Sequence, residues 1–207
     1  MLFLEWLVRL WSLKRPVGSK RVEMVVAISY CTGREKLMYG TFLNLYNAIQ
    51  YCCGHMSGSP YLCMSEGCSY PFEGAAKLEG SLKSNEVKRS DLTRVVVGKP
   101  MINTVDEANM IKEALPAELL NSVSSILICT GQAHSRSAYL IYRKLFPKAK
   151  VYLELSPFRT ETQPDHSVRS QRSPWVWFIS NVARHMALRV LPLSVVRKIQ
   201  RRPTGGG

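Results

Sequence analysis

Acidic side chains are scarce at both ends of this chain. Residues 1–21 hold one, Glu5, against Arg9, Lys14, Arg15, Lys20 and Arg21, a balance of +4. From Pro157 onward, Glu161 and Asp165 stand against nine arginines or lysines, a balance of +7. Of the formal charge of +13, residues 22–156 therefore carry only +2. A uniformly basic domain would fit nucleic acid. Basic ends around a near-neutral middle fit a surface contact made by the ends, and without a recognised nucleic-acid motif that partner is disfavoured.

Long apolar runs are also missing. No segment reaches the roughly 18 uninterrupted apolar residues of a membrane-spanning helix, and Glu5 and Arg9 break the apolar N-terminus too early for a signal-peptide core. The expected setting is the cytoplasm, with a peripheral position at the inner face of a membrane as an extension of that reading. The six cysteines lack the paired CxxC spacing of a structural zinc site, so no metal is expected. Cys63 and Cys129 fall inside apolar, strand-like runs and read as small buried hydrophobes in a reducing compartment. No GxxxxGK[ST] phosphate loop, GxGxxG fingerprint, GxSxG elbow or HExxH pair is present. Those absences argue against a P-loop NTPase, a nicotinamide-dependent dehydrogenase, a serine hydrolase and a zincin.

What remains is an alternation. Short apolar runs at Val22–Ser29, Tyr61–Ser65, Thr93–Gly98, Ser125–Thr130 and Lys150–Leu155 read as strands. Helical patterns lie between them at residues 37–51, 73–82, 105–115 and 134–146. The expected fold is α/β, a Rossmann-like three-layer domain with a mostly parallel five-stranded sheet, plus amphipathic terminal helices. Three parts are expected: an N-terminal helix and linker at 1–21, the α/β domain at 22–156, and a basic, apolar helical extension at 157–207. In such a sheet ligands bind beyond the carboxyl ends of the strands, which gathers the loops at 30–36, 65–73, 98–104 and 130–136.

The most informative of these loops is Thr130-Gly-Gln-Ala-His134-Ser-Arg136, where a strand runs into a helix start. Unpaired amides at a helix N-terminus, with an imidazole and a guanidinium beside them, form an anion-binding corner. His134 reads either as a packing or capping group or as the general acid/base or anion contact, and Arg136 as a charge clamp. Asn103, Thr104 and Glu107 read either as an ordinary helix start, with a cap and acids in the first turn, or as pocket-lining groups with Glu107 as the working carboxylate. Ser65, Glu66 and Gly67 end the second strand, where glycine permits close backbone approach. Glu73 is either a helix-start carboxylate or a pocket acid.

With those residues in place, Val22 to Leu155 resembles the bacterial domain-of-unknown-function family that includes YdcF, SanA and ElyC. The likeness rests on the apolar first strand, on Ser65-Glu66-Gly67 in place of a Ser-Gly-Gly, on Glu73 as the acid of a Ser-Glu-Ala, on Asn103-Thr104 followed by Glu107-Ala108, and on Thr130, His134 and Arg136. Glu66 stands where that family has its first glycine, and Ser137 where it has its arginine. The resemblance implies a Rossmann-like fold with a polar pocket at the strand ends, a nucleotide-type ligand such as S-adenosylmethionine, and a cell-envelope role. The functional expectation is a domain binding a phosphorylated or nucleotide-type small molecule, as a hydrolase or transferase. The alternatives are a non-catalytic binding or regulatory module and a basic membrane-surface adaptor.

Residues 1–15 and 175–202 combine Trp and Phe with Arg and Lys. Helices of that kind either pack on their own sheet or lie at an anionic membrane surface.

Overall fold

The computed structural model describes residues 2–28, 39–54, 60–65, 95–98, 104–157 and 173–201. It is an α/β fold with an all-parallel sheet flanked by helices, in the order expected of a Rossmann-like domain. The sheet comprises β1 (Met24–Ala27), β2 (Tyr61–Ser65), β3 (Val95–Gly98), β4 (Ser125–Gly131) and β5 (Lys150–Ser156), arranged β3-β2-β1-β4-β5. Every pairing is parallel, with Val26 beside Cys63 and Ile128, Ser65 beside Gly98, and Gly131 beside Ser156.

Parallel strands covered on both faces need apolar residues at nearly every position. All four residues of β1 are buried, as are Ile126 to Gly131 of β4. Alternate side chains serve opposite faces. Met24, Val26, Ile126 and Ile128 pack with Val105, Ile111, Ile141 and Tyr142 from α3 (Thr104–Ala114) and α5 (Ser135–Leu145). Val25, Ala27, Leu127 and Cys129 face α2 (Tyr39–Gly54) through Leu45, Ala48 and Cys52. Cys63 and Cys129 are buried thiols in these layers, and burial pushes both thiol pKa values up, which keeps them protonated and apolar.

Element ends depart from the sequence reading for visible reasons. The N-terminal helix α1 (Leu2–Trp11) stops four residues short of the expected Arg15. Ser12 turns its hydroxyl back to the Arg9 carbonyl at 2.7 Å, and the Leu13 amide is taken by the Ser135 hydroxyl at 2.9 Å. Strand β4 runs on to Gly131, so the expected helix from His134 begins as a 3-10 turn, Gln132–His134, before α5. Pro116 ends α3 but also starts a short helix the pattern did not announce, α4 (Ala117–Ser122). The helix expected at 73–82 lies outside the described residues.

Both terminal segments are bound into the domain. After α1 the chain passes along the sheet edge, where the Leu153 amide donates to the Arg15 carbonyl at 2.8 Å and Val17 is buried. The C-terminal helices are α6 (Pro174–Val190), which opens with proline in its first turn, and α7 (Leu193–Arg201), started after Pro192 breaks the chain. Asn181, His185 and Leu188 form the buried stripe of α6, at helical spacing. Lys144 of α5 donates to the Leu188 and Leu191 carbonyls at 2.5 and 2.9 Å, closing the negative end of α6. Val196 of α7 reaches the core beside Leu188.

Arg197 of α7 forms an ion pair with Asp106 of α3. The aspartate side chain is 3% exposed and the arginine 28%. Removing one partner of a fully buried pair costs about 3–5 kcal/mol, and the exposure of Arg197 reduces that to roughly 1–3 kcal/mol. Arg197→Ala is expected to lower the urea midpoint accordingly, whereas Lys198→Ala, on an exposed neighbour, is expected to leave it unchanged.

Candidate functional site

The crossover in strand order falls between β1 and β4. At the carboxyl end of β4, Thr130 is buried in the sheet, and Gly131 leads into the 3-10 turn that ends at His134. Neither the turn nor α5 has a side-chain cap hydrogen bond at its start.

His134 is 1% exposed, and its surroundings fix its chemistry. Asn181 of α6 donates through Nδ2 to the Trp177 carbonyl at 2.9 Å, which turns its Oδ1 toward the imidazole. Nδ1 of His134 lies 2.7 Å from that oxygen, so Nδ1 carries the proton and donates it. Arg184 Nη1 stands 3.5 Å from the same nitrogen. Two donors do not bond one another, so this second contact is electrostatic. Burial first, then the Arg184 charge, lowers the imidazole pKa to about 3, outweighing the opposing effect of the Asn181 bond. His134 is therefore a neutral imidazole of defined tautomer at pH 7.

Arg136, the expected charge clamp, is held against α1. Its Nε donates to the Trp11 carbonyl at 2.5 Å, and its guanidinium lies over the Trp11 ring, 4.8 Å from the centroid. Trp11 in turn donates from Nε1 to the Ala133 carbonyl at 3.2 Å and meets Phe178 and His185 edge-on. Arg136 and Ser135 thus fasten α1 across the start of α5. The cation beside His134 is Arg184.

Glu107 is fully buried in the first turn of α3. The phenol pKa of Tyr142 on α5 is raised well above its ordinary value by burial first and by the neighbouring Glu107 second. Thr104 opens α3 and is buried, next to Asp106 of the ion pair. Ser65 closes β2 at the same carboxyl edge, in register with Gly98. Glu66, Gly67, Glu73 and Asn103 lie outside the described residues.

The sequence reading missed three parts of this edge. Asn181 and Arg184 sit 47 and 50 residues from His134. A polar residue on the stripe that leads to Leu188 was the available hint for Asn181. The third part is a polar chain on the α2 side, where Ser156 donates to Asn44 Oδ1 at 2.7 Å and Asn44 donates through Nδ2 to the Ile28 carbonyl at 2.8 Å. Asn44 and Ser156 are both buried, and this pair closes the ends of β1 and β5. A buried polar network is tolerated where each member has a partner.

Among the described residues no group of three or more His, Cys, Asp or Glu could hold a metal ion, and no helix is long and apolar enough to cross a membrane. Comparison with family models, curated proteins and solved structures gave no match for this chain.

Proposed function

We propose that this protein binds a phosphorylated or nucleotide-type small molecule at the carboxyl edge of its sheet, beside the boundary between β1 and β4. One observation carries the reading: the strand order reverses there, and open parallel sheets take their ligands outside the carboxyl ends of the strands at such a point. In this reading Thr130 and the turn before α5 face the anionic group, and Arg184 supplies the compensating charge. Ser65 at the end of β2 and Thr104 at the start of α3 are the neighbouring polar groups, Glu66, Gly67, Glu73 and Asn103 are the further candidates, and Glu107 of α3 is the carboxylate. The YdcF-like resemblance adds S-adenosylmethionine to the ligands to be tried.

Between the two versions of this reading, hydrolase or transferase and non-catalytic module, one observation favours the module. A general acid or base works best with a pKa near the working pH, and the His134 imidazole is lowered to about 3. It serves better as a neutral hydrogen-bonding group than as a proton carrier.

A thermal-shift panel of nucleotides, S-adenosylmethionine and sugar phosphates tests the reading. A ligand present at one hundred times its Kd stabilises by about 2.7 kcal/mol, or roughly 5–10 °C for a domain of this size. Arg184→Met is expected to remove most of that shift. If no ligand of these classes moves the melting temperature, the pocket reading fails in both versions. Turnover that disappears in Glu107→Gln would instead restore the enzyme.

A further inference from the structure

The outer faces of α1 and α6 are apolar where an ordinary surface helix is polar. Ten of the eleven large exposed hydrophobic side chains among the described residues lie on α1, α6 and α7. Helix α1 is apolar on two sides. Leu4 and Val8 are buried against Ala133, Trp177 and Phe178, while Phe3, Trp6 and Leu10 are 61%, 53% and 60% exposed. The second set is spaced i, i+3, i+7, so it forms one stripe. On α6 the exposed Trp175, Ile179 and Met186 fall on one stripe as well, at i, i+4 and i+11. The two stripes meet: Phe3 stacks on Trp6 with centroids 5.8 Å apart and lies 6.4 Å from the Trp175 ring. A contiguous apolar patch rimmed by charge marks a docking surface.

Charge identifies its occupant. Residues 174–201 contain no Asp or Glu, and residues 1–21 contain only Glu5. Arg9, Lys14, Arg189 and Lys198 on and beside these helices are exposed. Aromatic side chains flanked by arginine and lysine match the boundary between headgroups and acyl chains. Each basic residue near an anionic leaflet strengthens binding about fivefold. We infer that the α1–α6 face docks on an anionic lipid bilayer, lying in the interface without spanning it. Phe3, Trp6 and Trp175 enter the acyl boundary, and the arginines and lysines meet the lipid phosphates. The inference stands independently of any ligand at the sheet edge.

Co-sedimentation of the full chain tests it with vesicles of phosphatidylglycerol and phosphatidylcholine, and with phosphatidylcholine alone. The expected result is binding to the anionic vesicles at least about tenfold stronger than to the neutral ones, weakened by salt, with tryptophan emission shifted to the blue. The triple variant Phe3→Ser, Trp6→Ser, Trp175→Ser changes exposed positions, and its fold is checked by circular dichroism. It is expected to lose at least about tenfold of the vesicle binding. Single variants Trp6→Ser and Trp175→Ser, each weaker than wild type, replace the triple variant if that does not fold. No binding to anionic vesicles, equal binding to neutral vesicles, or undiminished binding by the folded variants would overturn the inference. So would a vesicle-independent dimer, or an RNA complex, that the same substitutions abolish.

Discussion

Between pH 7 and pH 4 the folded state is expected to lose about 3 kcal/mol of stability through His134 alone. The imidazole in the folded protein stays neutral down to a pKa of about 3, against an ordinary value of 6.5. Below pH 6.5 the unfolded chain takes up a proton at this position that the folded chain refuses. Acid therefore favours unfolding, by about 1.4 kcal/mol for each pH unit, starting near 6.5 and levelling off below about 3. Above pH 7 the residue contributes no slope. Other groups titrate in the same window, so the informative quantity is a difference. Urea midpoints measured from pH 4 to pH 8 for the wild type and for His134→Asn should give a flatter pH profile in the variant, whatever its absolute stability. Equal slopes for the two proteins would show that the imidazole is accessible to protons in the folded state. Arg184→Met should move the folded pKa upward and flatten the profile in part, because the Arg184 charge is the second cause of the lowered value.

Tyr142→Ala is the substitution with the largest expected cost, about 3–5 kcal/mol. Tyr142 is fully buried on α5, stacked against Phe146 with rings 6.3 Å apart, and packed among the β1, β4, α3 and α5 side chains of one core layer. Truncation removes the aromatic contact area and leaves a cavity that a three-layer fold cannot readily collapse. The midpoint should drop by roughly 6–20 °C, using 2–4 °C per kcal/mol for a chain of this size. Tyr142→Phe separates the ring from the hydroxyl. Among the described residues the Tyr142 hydroxyl is buried with no hydrogen-bond partner, and a buried, unsatisfied polar group costs about 1–3 kcal/mol. The phenylalanine variant should match or exceed the wild type. A loss comparable with that of the alanine variant would show that the hydroxyl is satisfied and that the packing argument is incomplete.

The fold was more legible in the sequence than the site was, for a physical reason. A parallel strand buried on both faces demands a local run such as Ile126-Leu127-Ile128-Cys129, and a local run can be read from its own residues. Alternation of such runs with helical patterns carries the α/β class. The corner after β4 was legible in place, since Thr130 and His134 sit at the end of the strand nearest the reversal in strand order. Its partners were not legible. Which residue hydrogen-bonds His134 depends on where α6 docks, and docking is set by Leu188 entering a core formed from residues far earlier in the chain. Arg136 shows the same limit from the other side. Its type and position fit an anion clamp, but a tryptophan 125 residues away offers a carbonyl and a ring face together. The terminal helices were read as facing either their own sheet or a membrane. The described structure has α1 packed on the domain through Leu4 and Val8, with a second apolar stripe still facing outward.

The attachment of α1 has a consequence for the order in which the molecule is assembled. Its carbonyl, indole and following amide are fastened to Arg136, Ala133 and Ser135, across separations of 122 to 125 residues. During synthesis α1 leaves the ribosome ahead of its landing surface, which follows only after those residues have been added. At bacterial or eukaryotic elongation rates that interval is on the order of ten seconds. For that time Leu4 and Val8 lack the surface that buries them: Ala133 comes with the strand-to-helix corner, and Trp177 and Phe178 follow about forty residues later.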